Sequence, residues 1–424
     1  MSILSHSMSI ADVWAILLFL LAITGGFIFW GFSRASEQPD SSRSWLVATT
    51  GAVAMVFTFG TPFSYGVFRE PLSQEFGIPA IDLSAVFSLM LFGLFIGSGI
   101  VGILSTRVRI RPLILAAAAV TAILAPGLFF IDSYAGIALV FGLLGWTLGT
   151  VFVLLVSIVP RWFDIHSGTA IGIIFVGNGT GMAILPWIWQ FSFSTFGVAE
   201  GFFLLISITA ATFALAGLVC RRPSWTEQSI TSISPIQWVK NVARTRTFQL
   251  LFIGIGLSFG WYQIFAGYAV DLFEAEGLTR SAASLAFGSI AGVSIVSRLG
   301  SGVAADRIGS RRAFVFSLLS AAAGAMLLLI SHPLSFALAV ILMGIGLGGT
   351  ATLYVPLLMS IYDPENDTAI VGIFNIPAGI AALAMPPLGT AMIASFESYT
   401  GAIILTAGTI IAGLGLIVRG TTIN

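Results

Sequence analysis

The chain has 424 residues; 8% are charged, 57% are hydrophobic, and 18 Lys and Arg balance 18 Asp and Glu. A mean hydropathy of +1.02 excludes an ordinary water-soluble fold, in which roughly a quarter of the residues carry charge. The neutral balance gives nucleic acid no basic patch, the single Cys220 excludes an intrachain disulfide or thiolate metal cluster, and His6, His166 and His332 are too scattered for a histidine metal site.

The elements read as follows. An apolar run at about 11–33 has no basic residue before it and Arg34 just after it. No small-residue cleavage site is evident, so it reads as a retained transmembrane anchor. Six runs of membrane-crossing length follow: α1 (about 45–68), α2 (80–104), α3 (112–131), α4 (134–159), α5 (168–190) and α6 (197–220). A polar stretch holding Arg221, Arg222, Lys240, Arg244 and Arg246 interrupts them. Six more runs are α7 (about 247–270), α8 (280–304), α9 (312–331), α10 (333–358), α11 (368–392) and α12 (398–418). The expected fold is an all-α membrane protein built as two six-helix bundles. Its parts are an extra N-terminal helix and linker (1–42), a first bundle (43–222), a central linker (223–246) and a second bundle (247–424).

Charge supports that layout. With the 34–44 loop in the cytoplasm and sides alternating from there, 15 of the 18 Lys and Arg residues fall on the cytoplasmic side. Arg69 and Arg280 lie outside and Arg298 lies within a span. This is the bias of a plasma-membrane protein with cytoplasmic basic loops. It places the N-terminus outside, and the central loop and C-terminus inside.

The two halves repeat at an offset of 200 residues. Phe59-Gly60 matches Phe259-Gly260, Gly77 matches Gly277, and Gly102 matches Gly302. Arg107 and Arg111 match Arg307 and Arg311, Gly149-Thr150 matches Gly349-Thr350, and Gly172 and Pro186 match Gly372 and Pro386. Parallel repeats of this kind enclose a central site that alternates between the two membrane faces.

The strongest local pattern follows α8: Gly302-Val-Ala-Ala-Asp306-Arg307-Ile-Gly309-Ser-Arg311-Arg312. A glycine there lets helices approach, an aspartate sits near a neighbouring helix N-terminus, and arginines anchor the inner surface. It resembles the loop motif of the major facilitator superfamily and implies a switch between conformations. The first-half copy, Gly102-x-x-x-Thr106-Arg107-x-Arg109-x-Arg111, lacks the aspartate and the second glycine.

A second cluster is Arg161-Trp162-Phe163, Ser167-Gly168, then Gly172-x-x-x-x-Gly177-Asn178-Gly179-Thr180-Gly181, with Gly60, Pro62 and Val67-Phe68 on α1. It resembles the monocarboxylate transporter and oxalate–formate antiporter-like family. Gly177-x-x-x-Gly181 also reads as a close helix-packing face.

Arg298 lies inside the otherwise apolar α8, about eight residues before Asp306. A charge at that depth costs roughly 3 kcal/mol or more unless it faces a partner or a watery cavity. No carboxylate falls clearly in the middle of a span, and a guanidinium suits a carboxylate as a two-pronged donor. The resemblance implies the same role, because Ser297-Arg298-Leu299-Gly300 matches the family's carboxylate-binding arginine. A snorkelling arginine is the other reading. Tyr65, Asn178, Tyr262, Tyr354 and Asn375 are further polar candidates for lining a substrate site, or equally for joining helices. By the resemblance, Phe63 and Ser294 replace a lysine and an aspartate of proton-coupled relatives, and Ala378 replaces a second basic residue of the oxalate exchanger.

The expected protein is a transporter, not an enzyme, without cofactor or metal, and functional as a monomer. It moves a small monocarboxylate, such as a hydroxy or keto acid, through the lipid bilayer with protons or a counter-anion. An organic-anion exchanger, a porter of another solute, and a non-transporting receptor or assembly factor on the same scaffold are the alternatives.

Overall fold

The structure, a computed structural model, describes residues 37–105, 107–225, 235–362 and 367–422. The expected anchor at 11–33, Thr106 of the first loop motif and much of the central linker lie outside the described residues.

The expected helices form. They are α1 (Ser42–Phe63), α2 (Ala80–Leu104), α3 (Ile110–Leu124), α4 (Tyr134–Ile158), α5 (Ser167–Phe196) and α6 (Val198–Val219). The second set is α7 (Arg246–Ala266), α8 (Arg280–Ile308), α9 (Ser310–Leu327), α10 (Pro333–Met359), α11 (Asp367–Phe396) and α12 (Tyr399–Gly420). Eleven of the twelve are long and apolar enough to cross a membrane. The exception, α9, has 18 residues and carries Arg311 and Arg312 in its first turn. Helices suit this setting because each satisfies its own backbone polar groups where no water can.

Two boundaries differ from the sequence reading for a local reason. Expected to run on to about 68 and 270, α1 and α7 instead stop and give way to short helices, Tyr65–Phe76 and Ala269–Ala275. At the first break Pro62 precedes Ser64, whose hydroxyl donates to the Gly60 carbonyl at 2.6 Å. Such back-bonding competes with helix continuation. Both short helices are followed by glycines with positive φ, Gly77 at +65° and Gly277 at +94°. The 200-residue repeat is therefore written in the backbone as well as the sequence.

The helices form two six-helix bundles, α1–α6 and α7–α12, which meet along two seams. In one α2 lies against α11, and in the other α5 lies against α8. Glycines set the approach at both. A methyl group on Gly102 would stand 2.7 Å from the Thr368 carbonyl oxygen and 2.9 Å from Gly372 Cα. On Gly172 it would stand 2.9 Å from the Arg298 carbonyl oxygen, and on Gly302 it would collide with the Gly168 carbonyl. These close approaches lie toward the face where Arg107, Arg109, Arg111, Arg161, Arg307, Arg311 and Arg312 flank the helix ends.

The segment before α1 is stitched to the same face. Asp40 accepts from the backbone N–H groups of Asp164 (3.0 Å), Ile165 (3.1 Å) and His166 (3.3 Å) just before α5. Glu37 accepts from Arg221 Nη2 at 2.7 Å and the Ser224 N–H at 3.0 Å, beyond the end of α6. Trp162 is fully buried and donates through Nε1 to the Arg221 carbonyl at 2.8 Å. The Arg-Trp-Phe stretch thus ties the end of α4 to the end of α6.

Candidate substrate site

The glycine-rich α5 has two working faces. Gly177 and Gly181 lie against the backbone of α1 at Ala52 and Val56, which is the close packing that the four-residue spacing predicts. Gly168, Gly172 and Gly179 lie against α8 instead. With Phe175 they follow the i, i+4, i+7, i+11 stripe of one helix face. A methyl on Gly179 would be 3.1 Å from Arg298 Nε, so the missing side chain makes the slot in which the arginine lies. One turn away, Phe175 presents its ring to the guanidinium, with Cζ 5.9 Å from the ring centroid.

Arg298 is 3% exposed. Among the described residues nothing accepts a hydrogen bond from its Nε, and it forms no ion pair. It lines a cavity between the bundles. No Asp or Glu is among the residues lining it. A ring face offsets part of the cost of a buried cation, but it leaves the in-plane N–H donors free.

Four of the five other candidate residues share this cavity: Asn178, Tyr262, Tyr354 and Asn375. The Tyr354 hydroxyl donates to Asn375 Oδ1 at 3.0 Å, which fixes the amide so that Nδ2 is its free end. That Nδ2 is buried without an acceptor among the described residues. The cavity wall therefore carries two orphan donors, one charged and one neutral, and the natural complement to both is an oxygen anion.

Tyr65 stands elsewhere. It is not among the cavity-lining residues; its hydroxyl donates to the Leu83 carbonyl at 2.8 Å, and its ring packs with those of Phe68, Phe87 and Phe141. A tyrosine one residue past the α1 break points into its own bundle, which reading α1 as continuous hid. Phe63 and Ala378 do line the cavity and present apolar groups to it. Ser294 is buried, with its hydroxyl on the Ala291 carbonyl at 2.7 Å.

The sequence reading missed the aromatic wall. Phe95, Phe59, Phe152, Phe175, Tyr354 and Phe259 form a continuous arc of ring contacts, with centroids 5.0 to 6.4 Å apart, that crosses from one bundle to the other. With 35 phenylalanines in the chain, only the pairing of Phe59 with Phe259 in the repeat marked any of them.

At the basic end of the α5–α8 seam, Asp306 accepts from the Gly168 N–H (2.7 Å), the Thr169 N–H (2.8 Å) and the Thr169 hydroxyl (2.6 Å). A carboxylate here meets the unsatisfied amides and the positive dipole end of α5. Gly309 then turns the chain into α9 at φ +87°, a conformation that favours glycine. In the first-half copy Arg109 holds the corresponding place at φ −59°, so no glycine is required. Arg307, Arg311 and Arg312 lie at the basic face, Arg311 reaching the Val418 carbonyl at 3.5 Å.

Comparison with known proteins agrees with this architecture. The sequence model of the Major Facilitator Superfamily matches residues 50–299 and 250–422. The chain belongs to that superfamily. Within it, this transporter is 26% identical over 288 residues to the MFS-type transporter pytF of Aspergillus terreus, covering 65% of this chain and 96% of that one. It is 23% identical to Monocarboxylate transporter 13 of Bos taurus, covering 90% of each. The solved structure of the E. coli fucose:proton symporter superposes with a TM-score of 0.69 at 14% identity, covering 88% of this chain and 98% of that one. The chain is thus a multi-pass membrane transporter of that superfamily, similar to monocarboxylate transporters, with a small solute as its substrate.

Proposed function

We propose that this transporter moves a small organic monocarboxylate by alternating access. One carboxylate oxygen pair binds the Arg298 guanidinium, and the Asn375 amide completes the site. The observation that carries this reading is the buried, unpaired Arg298 in a cavity with no acidic lining residue. One fixed positive charge matches one carboxylate, and Ala378 leaves a dicarboxylate's second charge unmatched. With no acid lining the site, proton movement follows the substrate's own protonation, or a counter-anion returns on the same site.

The test is substrate-induced thermal stabilisation of the purified protein, alongside uptake into liposomes from a panel of monocarboxylates. Arg298→Ala should abolish both stabilisation and uptake, because stabilisation tracks affinity through mass action. Arg298→Lys keeps the charge but loses the planar fork, so it should bind at least tenfold more weakly. A snorkelling arginine would make Lys nearly silent. Stabilisation without uptake would favour a receptor on a transporter scaffold.

The basic face is cytoplasmic in this reading, from the positive-inside bias, and the membrane is the plasma membrane. Cys220, the native thiol, is fully buried, so it barely reacts with maleimides. A Ser224→Cys variant should therefore be labelled only from the cytoplasmic side. Labelling by an impermeant reagent on intact cells would reverse the orientation.

A further inference from the structure

Resting on the monocarboxylate reading, we propose that the preferred substrate has an aryl or comparably bulky apolar body: an arylacetate or benzoate-like acid, with a three-carbon hydroxy or keto acid a poor ligand.

The chemistry of the walls points there. The arc from Phe95 to Phe259 contributes rings from both bundles, and the repeat mates Phe59 and Phe259 are both only partly buried at the cavity wall. Offset and edge-on ring contacts leave faces and edges available to a further ring, which prefers those same geometries. The polar groups are less available. The Ser258 hydroxyl proton is committed to the Gly254 carbonyl at 2.7 Å, and the Thr350 hydroxyl to the Gly346 carbonyl. The Tyr354 hydroxyl is committed to Asn375. Asn178 and Gln263 add two amides to the lining, and nine aromatic rings make up most of the rest.

Each buried methylene improves binding about fourfold, so a phenyl group against the arc should give well over tenfold. Phe175 has a double role: one face of its ring receives Arg298, and its neighbours Phe152 and Tyr354 extend the apolar floor beside the anion anchor.

The experiment measures affinity by thermal stabilisation and calorimetry on the purified full chain, because aryl acids cross bilayers unaided in their neutral form. Probes are phenylacetate, benzoate, lactate, pyruvate, succinate and the uncharged phenylacetamide. Phenylacetate or benzoate should bind at least tenfold more tightly than lactate and pyruvate. Phe259→Ala, which removes a partly buried ring at the wall, should weaken the aryl acid at least fivefold and change lactate less than twofold; Phe59→Ala serves as its repeat mate if the first variant fails to fold. If lactate or pyruvate binds as tightly as the aryl acids, the substrate-body inference is wrong and the monocarboxylate reading stands. If phenylacetamide binds as tightly as phenylacetate, or if no acid binds, the anion anchor fails and both readings fall.

Discussion

The two seams began as copies of one another and have been given different work. In the α5–α8 seam, Gly168, Gly172, Phe175 and Gly179 face Arg298, Gly302 and Asp306. At an offset of 200, the α2–α11 seam has Thr368, Gly372, Asn375 and Gly379, with Ser98 and Gly102 on α2. The glycines keep their positions and the close approach is the same. A methyl on Gly372 would stand 2.7 Å from the Ser98 carbonyl oxygen, much as one on Gly172 stands 2.9 Å from that of Arg298. The charged groups do not repeat. Ser98 turns its hydroxyl back to the Phe95 carbonyl at 2.8 Å, and Thr368 bonds the Ser157 hydroxyl at 2.9 Å and Arg222 Nη2 at 3.3 Å. Both seams keep the steric fit, while the buried Arg298 and the helix-end carboxylate Asp306 stand on one alone.

The sharpest way to break this comparison is to exchange the chemistry. Arg298→Ala should reduce substrate affinity by a factor of roughly 100 or more, since truncating a buried charge partner costs about 3–5 kcal/mol. Ser98→Ala should change affinity less than twofold in the same stabilisation assay. Equal effects would mean that both seams touch the substrate alike.

Next in size is a test of what the seams share. Gly302→Ala and Gly102→Ala should each hinder closure of the basic face by a similar amount. Overpacking costs about 1–3 kcal/mol, a shift of roughly 5–150-fold between states. Accessibility of cysteines placed along α5 and α11 to a reagent from the basic side should rise in both variants. A large rise in one alone would show that the glycine geometry is not equivalent.

A smaller effect is expected at the latch. Asp306→Asn retains the side-chain shape but removes the charge that meets the α5 amides, worth about 0.3–1 kcal/mol at an exposed helix end. It should open the basic face roughly two- to fivefold and lower turnover, with substrate affinity little changed. Since the sequence has a threonine at the mate of Asp306, Thr106→Ala should leave the same accessibility unchanged.

How much of this was legible follows from the kind of signal each residue leaves. Helix number, bundle order and the repeat were legible because lipid demands long apolar runs and a fixed offset survives divergence. Arg298 and Asp306 were legible because a charge at membrane depth, or in a spaced loop motif, stands out against an apolar background. The cavity's rings were not: a phenylalanine facing lipid and one facing substrate obey the same composition rule. The Gly168–Gly172–Phe175–Gly179 stripe was present in the spacing, yet it shared one helix with the Gly177–Gly181 pair and only packing separates the two faces. Tyr65 was misplaced because the α1 break turns on a serine back-bond, and a serine after a proline is common enough to pass unnoticed.

The stitched segment before α1 has a practical meaning for watching the molecule move. Asp40 holds the residues just ahead of α5 from within the first bundle, while Asp306 holds the first residues of the same helix from the second. When the basic face opens, one grip must release and the other travels with its load. A spectroscopic label on the exposed Gln38 is therefore a passenger of the first bundle, and one on the exposed Arg312 is a passenger of the second. The separation of that pair is a ruler for the cycle, readable one molecule at a time, and it needs no reporter inside the cavity.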